Sequence, residues 1–471
     1  MKQATALDRR PARTRYARAI ADARVRWRHA ERYARSKLTW NRLYRVTSYL
    51  RSALWIVPFI AIILVLLLGP ALRSLDTWLG WRFAGLGVAG AQALYQTVIT
   101  LTLSFMVFTF GSLLVAIQIA SGQLTPRIIA TTLLRNNVVR YSVGLFVFTL
   151  VFAVMALDRL ETKVQELVAL ITVVLGVTCM AAFLFLIDYA ARLLRPVSIL
   201  ALVGNEGLTV IQSVYPDPAG DSPDLPKASA MPLEAPRIVR HADSSGIVLA
   251  VDLRTLVLAA RRADGVVEFV PQIGDFVASE EPLFALYGGA SAIGDRKLRA
   301  TVAVGPERTM EQDPLFSFRI LVDIALKALS PAINDPTTAV LAIDQIHRLL
   351  KSVGMRQLRT DEIADDRGAL RVIYRTPNWE DFVHVACHEI RTCGAANVQI
   401  ARRLRALLDN LVASLPQHRH AALAREQNRL DRSLEQLYSI PDDLALARVP
   451  DSQGLGGSSS SRAPRMSGGG G

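Results

Sequence analysis

The sequence predicts a membrane α-helical domain of four transmembrane helices joined to a cytoplasmic α+β domain. Three observations carry that class. Apolar residues make up 51% of the 471 residues and mean hydropathy is +0.27, above the usual soluble range, with the excess concentrated before residue 190. Four apolar segments lie there, three at least as long as a bilayer crossing requires and the third somewhat short unless neighbouring residues extend it. Beyond residue 237 the pattern becomes short β-type runs separated by turns, then long amphipathic helices.

Residues 1–50 form a basic arm, with fourteen Lys and Arg against Asp8, Asp22 and Glu31, and this arm holds most of the formal charge of +13. Tyr16, Ile20, Ala23, Trp27, Ala30 and Ala34 recur at spacings of four and three, which puts them on one helical face. Such a helix can lie on anionic lipid headgroups. The same charge also reads as a positive-inside topology determinant, and no nucleic-acid partner is expected.

The transmembrane domain is placed at 51–190. Its spans are Ser52–Leu72, Gln92–Ala120, Ser142–Leu157 and Leu167–Ile187. Arg127, Arg135 and Arg140 make the 121–141 loop purely basic, as the arm is, whereas the 73–91 and 158–166 loops hold fewer or mixed charges. The Lys/Arg bias therefore puts both termini in the cytoplasm. The three cysteines, Cys179, Cys387 and Cys393, offer no paired framework and are read as reduced thiols.

A linker is placed at 191–237, with Pro, Asp and Ser clustered over 216–236. A small β-rich domain follows at 238–305. Turns at Asp264-Gly265 and Gly274-Asp275 punctuate short apolar runs, which suggests a β-barrel or sandwich-like unit. The stretch GDFVASEEPLF is similar to repeats of biotinyl- and lipoyl-type domains, but the modifiable Lys is absent and no cofactor is expected. Residues 306–440 form a helical domain. Asp335 is suited to cap a helix and Pro336 to open it, and one helix is expected over Trp379–Leu411. Residues 441–471 close the chain as a disordered tail, Gly/Ser-rich from Ser452.

Two stretches, SLLVAIQIASGQLTPRII (112–129) and RTMEQDPLFSFRILVDIALKALSPAINDPTTAV (308–340), resemble the bacterial predicted membrane proteins known as domain of unknown function 2254. The order of parts over about residues 50–440 is similar as well. The resemblance implies an integral protein of the bacterial inner membrane without an established activity, so it carries over no catalytic residues. The matching motif positions are Gln118, Ser121, Gln123, Pro126, Arg127, Arg308, Asp313, Arg319, Asp323, Asn334, Asp335 and Pro336.

On the second span, Thr97, Thr100, Ser104, Gly111, Gln118 and Gly122 fall in one narrow sector at 100° per residue, with Phe108 on the same side as a candidate constriction. Small polar faces let helices approach and bond across an interface; the same face could line a hydrated path. The spans hold no full charge that would serve a proton relay. In HVACHEIRTC, His384, Cys387, His388 and Cys393 lack a second ligand pair at metal spacing, so no metal site is assigned. Arg319, Asp323 and Lys327 are spaced for intrahelical pairs. A carboxylate site would need Asp313, Asp323 or Asp335 to converge. No phosphate-binding glycine loop or nucleophile elbow is present.

The expectation is a homo-oligomeric, channel- or transport-like membrane protein with a cytoplasmic regulatory or assembly domain. Its partners would be the lipid bilayer and other copies of itself. A membrane scaffold or envelope-stress factor is the alternative, and a membrane-bound enzyme the third reading.

Overall fold

A computed structural model describes residues 55–79, 85, 87–123, 137–160, 164–193, 195–220, 235–358 and 362–455, with isolated positions at 40, 41, 44, 47, 50 and 53. The first half is helical: α1 (Ile56–Leu79), α2 (Val88–Gln123), α3 (Asn137–Asp158), α4 (Glu166–Leu193) and α5 (Pro196–Val214). All five are long and apolar enough to cross a membrane by length and composition, one more than the four expected.

The fifth falls in the stretch assigned to a linker, and that assignment is corrected. Ile199, Leu200, Val203, Gly204, Gly207 and Ile211 of α5 are buried at spacings of one, three and four, an amphipathic stripe. The stripe packs into the same core as Phe316, Ile320 and Ile324 of α8 (Pro314–Ala328) and Ile343 and Ile346 of α9 (Pro336–Gly354).

The strands form two open sheets: β1 (Arg237–Arg240), β5 (Pro282–Gly288), β3 (Gly265–Phe269), β8 (Leu370–Tyr374) and β7 (Glu362–Ala364) in one, and β4 (Phe276–Val277), β2 (Gly246–Val251) and β6 (Val302–Gly305) in the other. The expected barrel is therefore not closed. Closure needs an unbroken ladder, and β4, with two residues, ends the smaller sheet. Val248 and Val302 of the small sheet share a core with Val267, Phe269 and Phe284 of the large one. Two helices flank the strands, α6 (Leu253–Ala263) and α7 (Asp295–Arg299). β8 enters parallel to β3, so the sheet takes strands from both sides of α8 and α9.

The helix expected over 379–411 is two: α10 (Trp379–Gly394) and α11 (Val398–Ser414). Gly394 abuts Leu329 and Ile400, and Asn397 caps the new helix, so a close approach and a cap break the run. α12 (His420–Leu437) and α13 (Pro441–Arg448) follow. The assignment of 441–455 to a disordered tail is corrected as well. Gln399 donates to the Gly454 carbonyl at 2.6 Å, Arg402 to that of Val449 at 3.0 Å, and Asp451 is 5% exposed. Beside the buried Ala447, these polar contacts hold the segment, which is why composition misses it.

Candidate functional site

The polar sector of α2 begins with a geometric fact: 36 residues give about 54 Å of helix, well beyond the ~30 Å hydrocarbon core. One side of α2 is buried by the neighbouring spans, through Tyr95, Val98, Thr102 and Thr109. Thr97, Thr100, Ser104, Gly111 and Gln118 lie on the other side and are exposed. A β-carbon added at Gly111 would meet nothing within 4 Å. Phe108 is 54% exposed and its ring meets the edge of Phe183 at 5.5 Å, so it sits on the seam with α4. Ser121, Gly122 and Gln123 are in the last turn of α2; Pro126 and Arg127 lie outside the described residues.

The hydroxyls on this face bond locally. Thr97 donates to the Ala93 carbonyl at 2.7 Å, Thr100 to Gln96 at 2.9 Å and Ser104 to Thr100 at 2.8 Å. Each proton is satisfied within the helix, leaving oxygen lone pairs outward. Farther along, Leu113 packs both against the span cluster of Val139, Phe146 and Leu186 and against the core of α5, α8 and α9, which Ile117 also joins. Sequence reasoning missed this joint, although the apolar residues at 113 and 117, one turn apart past the end of the needed span, are its signal.

The second motif is placed at the two ends of α8. Asp313 caps its start, accepting from the Phe316 N–H at 3.1 Å, and pairs with Arg308 Nε. Arg308 also lies over the Phe316 ring at 5.3 Å. Its guanidinium occupies the space a side chain at Gly274 would take, where φ is +92°, so a turn of the β unit cradles the cation. Burial pushes the Asp313 carboxyl up, against the pull of Arg308. At the other end Asn334 adopts φ 48°, Asp335 accepts from the Thr338 N–H at 3.0 Å, and Pro336 opens α9.

Asp313 and Asp335 thus cap the starts of two successive helices, fifteen residues of α8 apart, while Asp323 is engaged midway by Arg319. The three carboxylates do not converge. Arg319 Nε donates to Asp323 at 2.7 Å and Nη2 to Glu389 of α10 at 3.0 Å, a pairing across helices that helical spacing alone could not reveal. Arg319 holds the Glu389 carboxyl below its ordinary 4.5. Because the folded value is the lower one, this contribution is complete above the ordinary value and lost as pH falls through the lowered one. Glu389→Gln should flatten stability between about pH 5 and pH 3 by under about 1 kcal/mol, since the side chain is 45% exposed. Acid titration of the melting temperature of both proteins checks this.

His384 and His388 stack with ring centroids 4.7 Å apart. Cys387 points into the core, where burial pushes its thiol up, and Cys393 is exposed. The four do not meet at a point. Among the described residues, no group of three or more His, Cys, Asp or Glu is placed to hold a metal ion.

The family model "Predicted membrane protein (DUF2254)" matches residues 51–410. Uncharacterized protein Rv1290c of Mycobacterium tuberculosis and uncharacterized protein Mb1321c of Mycobacterium bovis are each 27% identical over 406 residues, covering 81% of this chain and 76% of the relative. No solved structure matches.

Proposed function

The chain belongs to the DUF2254 family of predicted membrane proteins, and from that premise we propose a four-span protein of the bacterial inner membrane that acts as a homo-oligomeric, channel- or transport-like assembly with a cytoplasmic regulatory domain. The four-span count is supported by α5, which shares its buried stripe with α8 and α9. The Lys/Arg asymmetry of the loops supports cytoplasmic termini. So does the Asn41 N–H, which donates to the Ala300 carbonyl of the β unit at 3.2 Å and puts the end of the basic arm beside the soluble part. The rest of that arm, assigned to anionic headgroups, lies outside the described residues.

One observation carries the functional reading. A single continuous helix, α2, exposes Thr97, Thr100, Ser104, Gly111 and Gln118 along one side and packs Leu113 and Ile117 against the core of α5, α8 and α9. A displacement of that core would therefore move the polar face. Copies assembled with these faces inward would surround a path lined by hydroxyl oxygens and Gln118.

Purified full-length protein in planar bilayers should conduct, and Ser104→Leu should reduce that conductance at least several-fold. Silence across voltage, tension and ion type would reject the reading. The scaffold alternative has one observation in its favour: the hydroxyl protons are already satisfied by the helix backbone, which suits a packed interface as well as a wet one. It predicts stable oligomers without conductance, and Ser104→Leu would then weaken assembly alone.

A further inference from the structure

The cytoplasmic helices form an up-and-down stack whose two ends can be told apart by contacts. Gly204 of α5 abuts Gln345 of α9, Gly207 abuts Leu349, and Arg356 just past α9 donates to the Pro216 carbonyl just past α5 at 2.7 Å. α5 and α9 therefore run parallel. Arg403 pairs with Asp344 at 2.6 Å, and Gly354 abuts Leu415, so α11 runs with them. Leu329, where α8 ends, abuts Gly394, where α10 ends. The Tyr438 hydroxyl beyond α12 donates to the Ala396 carbonyl at 2.9 Å.

These contacts gather one end of the stack: the start of α5, the α8–α9 corner, the α10–α11 break and the α12–α13 connection. That end follows the last span directly, because α4 ends at Leu193 and α5 begins at Pro196. Leu113 and Ile117 of α2 also enter the same core.

Exposed large apolar side chains collect there. Val197 is 53% exposed in the first turn of α5, Ile333 36% at the tip of the α8–α9 corner, Leu437 51% at the end of α12 and Ile440 57% in the α12–α13 connection. Three separate places, the start of α5, the α8–α9 corner and the α12–α13 junction, each present an apolar side chain at this end. Apolar side chains gathered at one end of a domain suit an interaction surface. The partner adjoining the exit of α4 is the headgroup layer, where an apolar side chain gains burial while the neighbouring loop backbone stays hydrated.

We propose that this end of the cytoplasmic domain rests on the bilayer, with Ile333 and Ile440 inserted in the lipid interface. The SPAINDP corner is then a membrane-contact loop, shaped by the left-handed Asn334 and the Asp335 cap, and it sets the height and tilt of α8 and α9 against the spans. This inference rests on the spanning assignment above, and the test separates the two.

In a Cys393→Ser background, Ile333→Cys, Leu437→Cys and Ile440→Cys would each be labelled with an environment-sensitive fluorophore. The full chain would be reconstituted in phosphatidylethanolamine/phosphatidylglycerol vesicles containing headgroup-proximal doxyl lipid. Phe276→Cys, 66% exposed on β4, serves as the aqueous reference, and Leu67→Cys, 69% exposed on α1, as the membrane reference. The expected result is a blue shift and several-fold stronger quenching at 333 and 440 than at 276. Quenching at 67 but not at 333 and 440 overturns the proposal alone. Probes at 333 and 440 shielded from both doxyl lipid and aqueous iodide overturn it in favour of a second copy covering the face. No quenching at 67 removes the spanning assignment and this proposal with it.

Discussion

Glu426→Leu is expected to lower stability by about 3–5 kcal/mol, the cost of leaving a buried cation without its partner. Arg391 of α10 donates from Nε to Glu426 of α12 at 2.7 Å, with the two side chains 10% and 2% exposed. Its Nη1 donates to the Ser433 hydroxyl at 2.9 Å, and Arg429 approaches the other Glu426 oxygen at 3.3 Å. Removing the carboxylate strands a guanidinium that neither water nor a nearby acceptor can fully satisfy. Removing both charges, in Arg391→Met with Glu426→Leu, should restore most of the loss, because packed apolar groups of similar volume substitute well for a buried pair. A double-mutant cycle on thermal unfolding of the solubilised full chain measures this. A single mutant that melts within about 0.5 kcal/mol of the parent would show the pair to be better hydrated than its burial implies.

The legible and illegible parts of this chain divide by how local their causes are. Four long apolar runs place α1–α4, and the capping chemistry of Asp335-Pro336 places the start of α9, because each is decided within one continuous stretch of chain. The two motif stretches also identify the family. The helix at 196–214 escapes because its stripe contains Gly204 and Gly207, which weaken an apolar signal yet are what its close packing requires. The second half of the large sheet escapes because β8 finds β3 about a hundred residues earlier in the chain, and parallel pairing leaves no turn to announce it. The polar face of α2 is visible as a pattern, whereas Glu389 as a partner of Arg319 and Leu113 as a shared residue of two cores depend on tertiary contacts.

Gly207 constrains the connection between the spans and the helical core, and Gly207→Leu should disrupt it more than any exposed change in α5. A β-carbon at this position would stand 2.9 Å from Ser317 Cβ and 3.1 Å from Leu349 Cδ1, inside the contact between α5, α8 and α9. Replacement by Ala gains about 1 kcal/mol of helix propensity against roughly 1–3 kcal/mol of overpacking, so a net loss of up to about 2 kcal/mol is expected. Leu adds three further carbons with no space to receive them and should pry α5 from its neighbours. Because α5 is the chain's direct link from α4 to the mixed helix and sheet part, the expected readouts are a lower melting temperature and new protease cleavage within 196–220. Ser317→Gly removes the nearer obstacle at about 1 kcal/mol of helix cost. Combined with Gly207→Ala it should be clearly non-additive, the double mutant being more stable than the two single losses together imply. Additive losses would mean that α5 yields at Gly207 without pressing on α8, and that the fit between these helices is looser than their spacing requires.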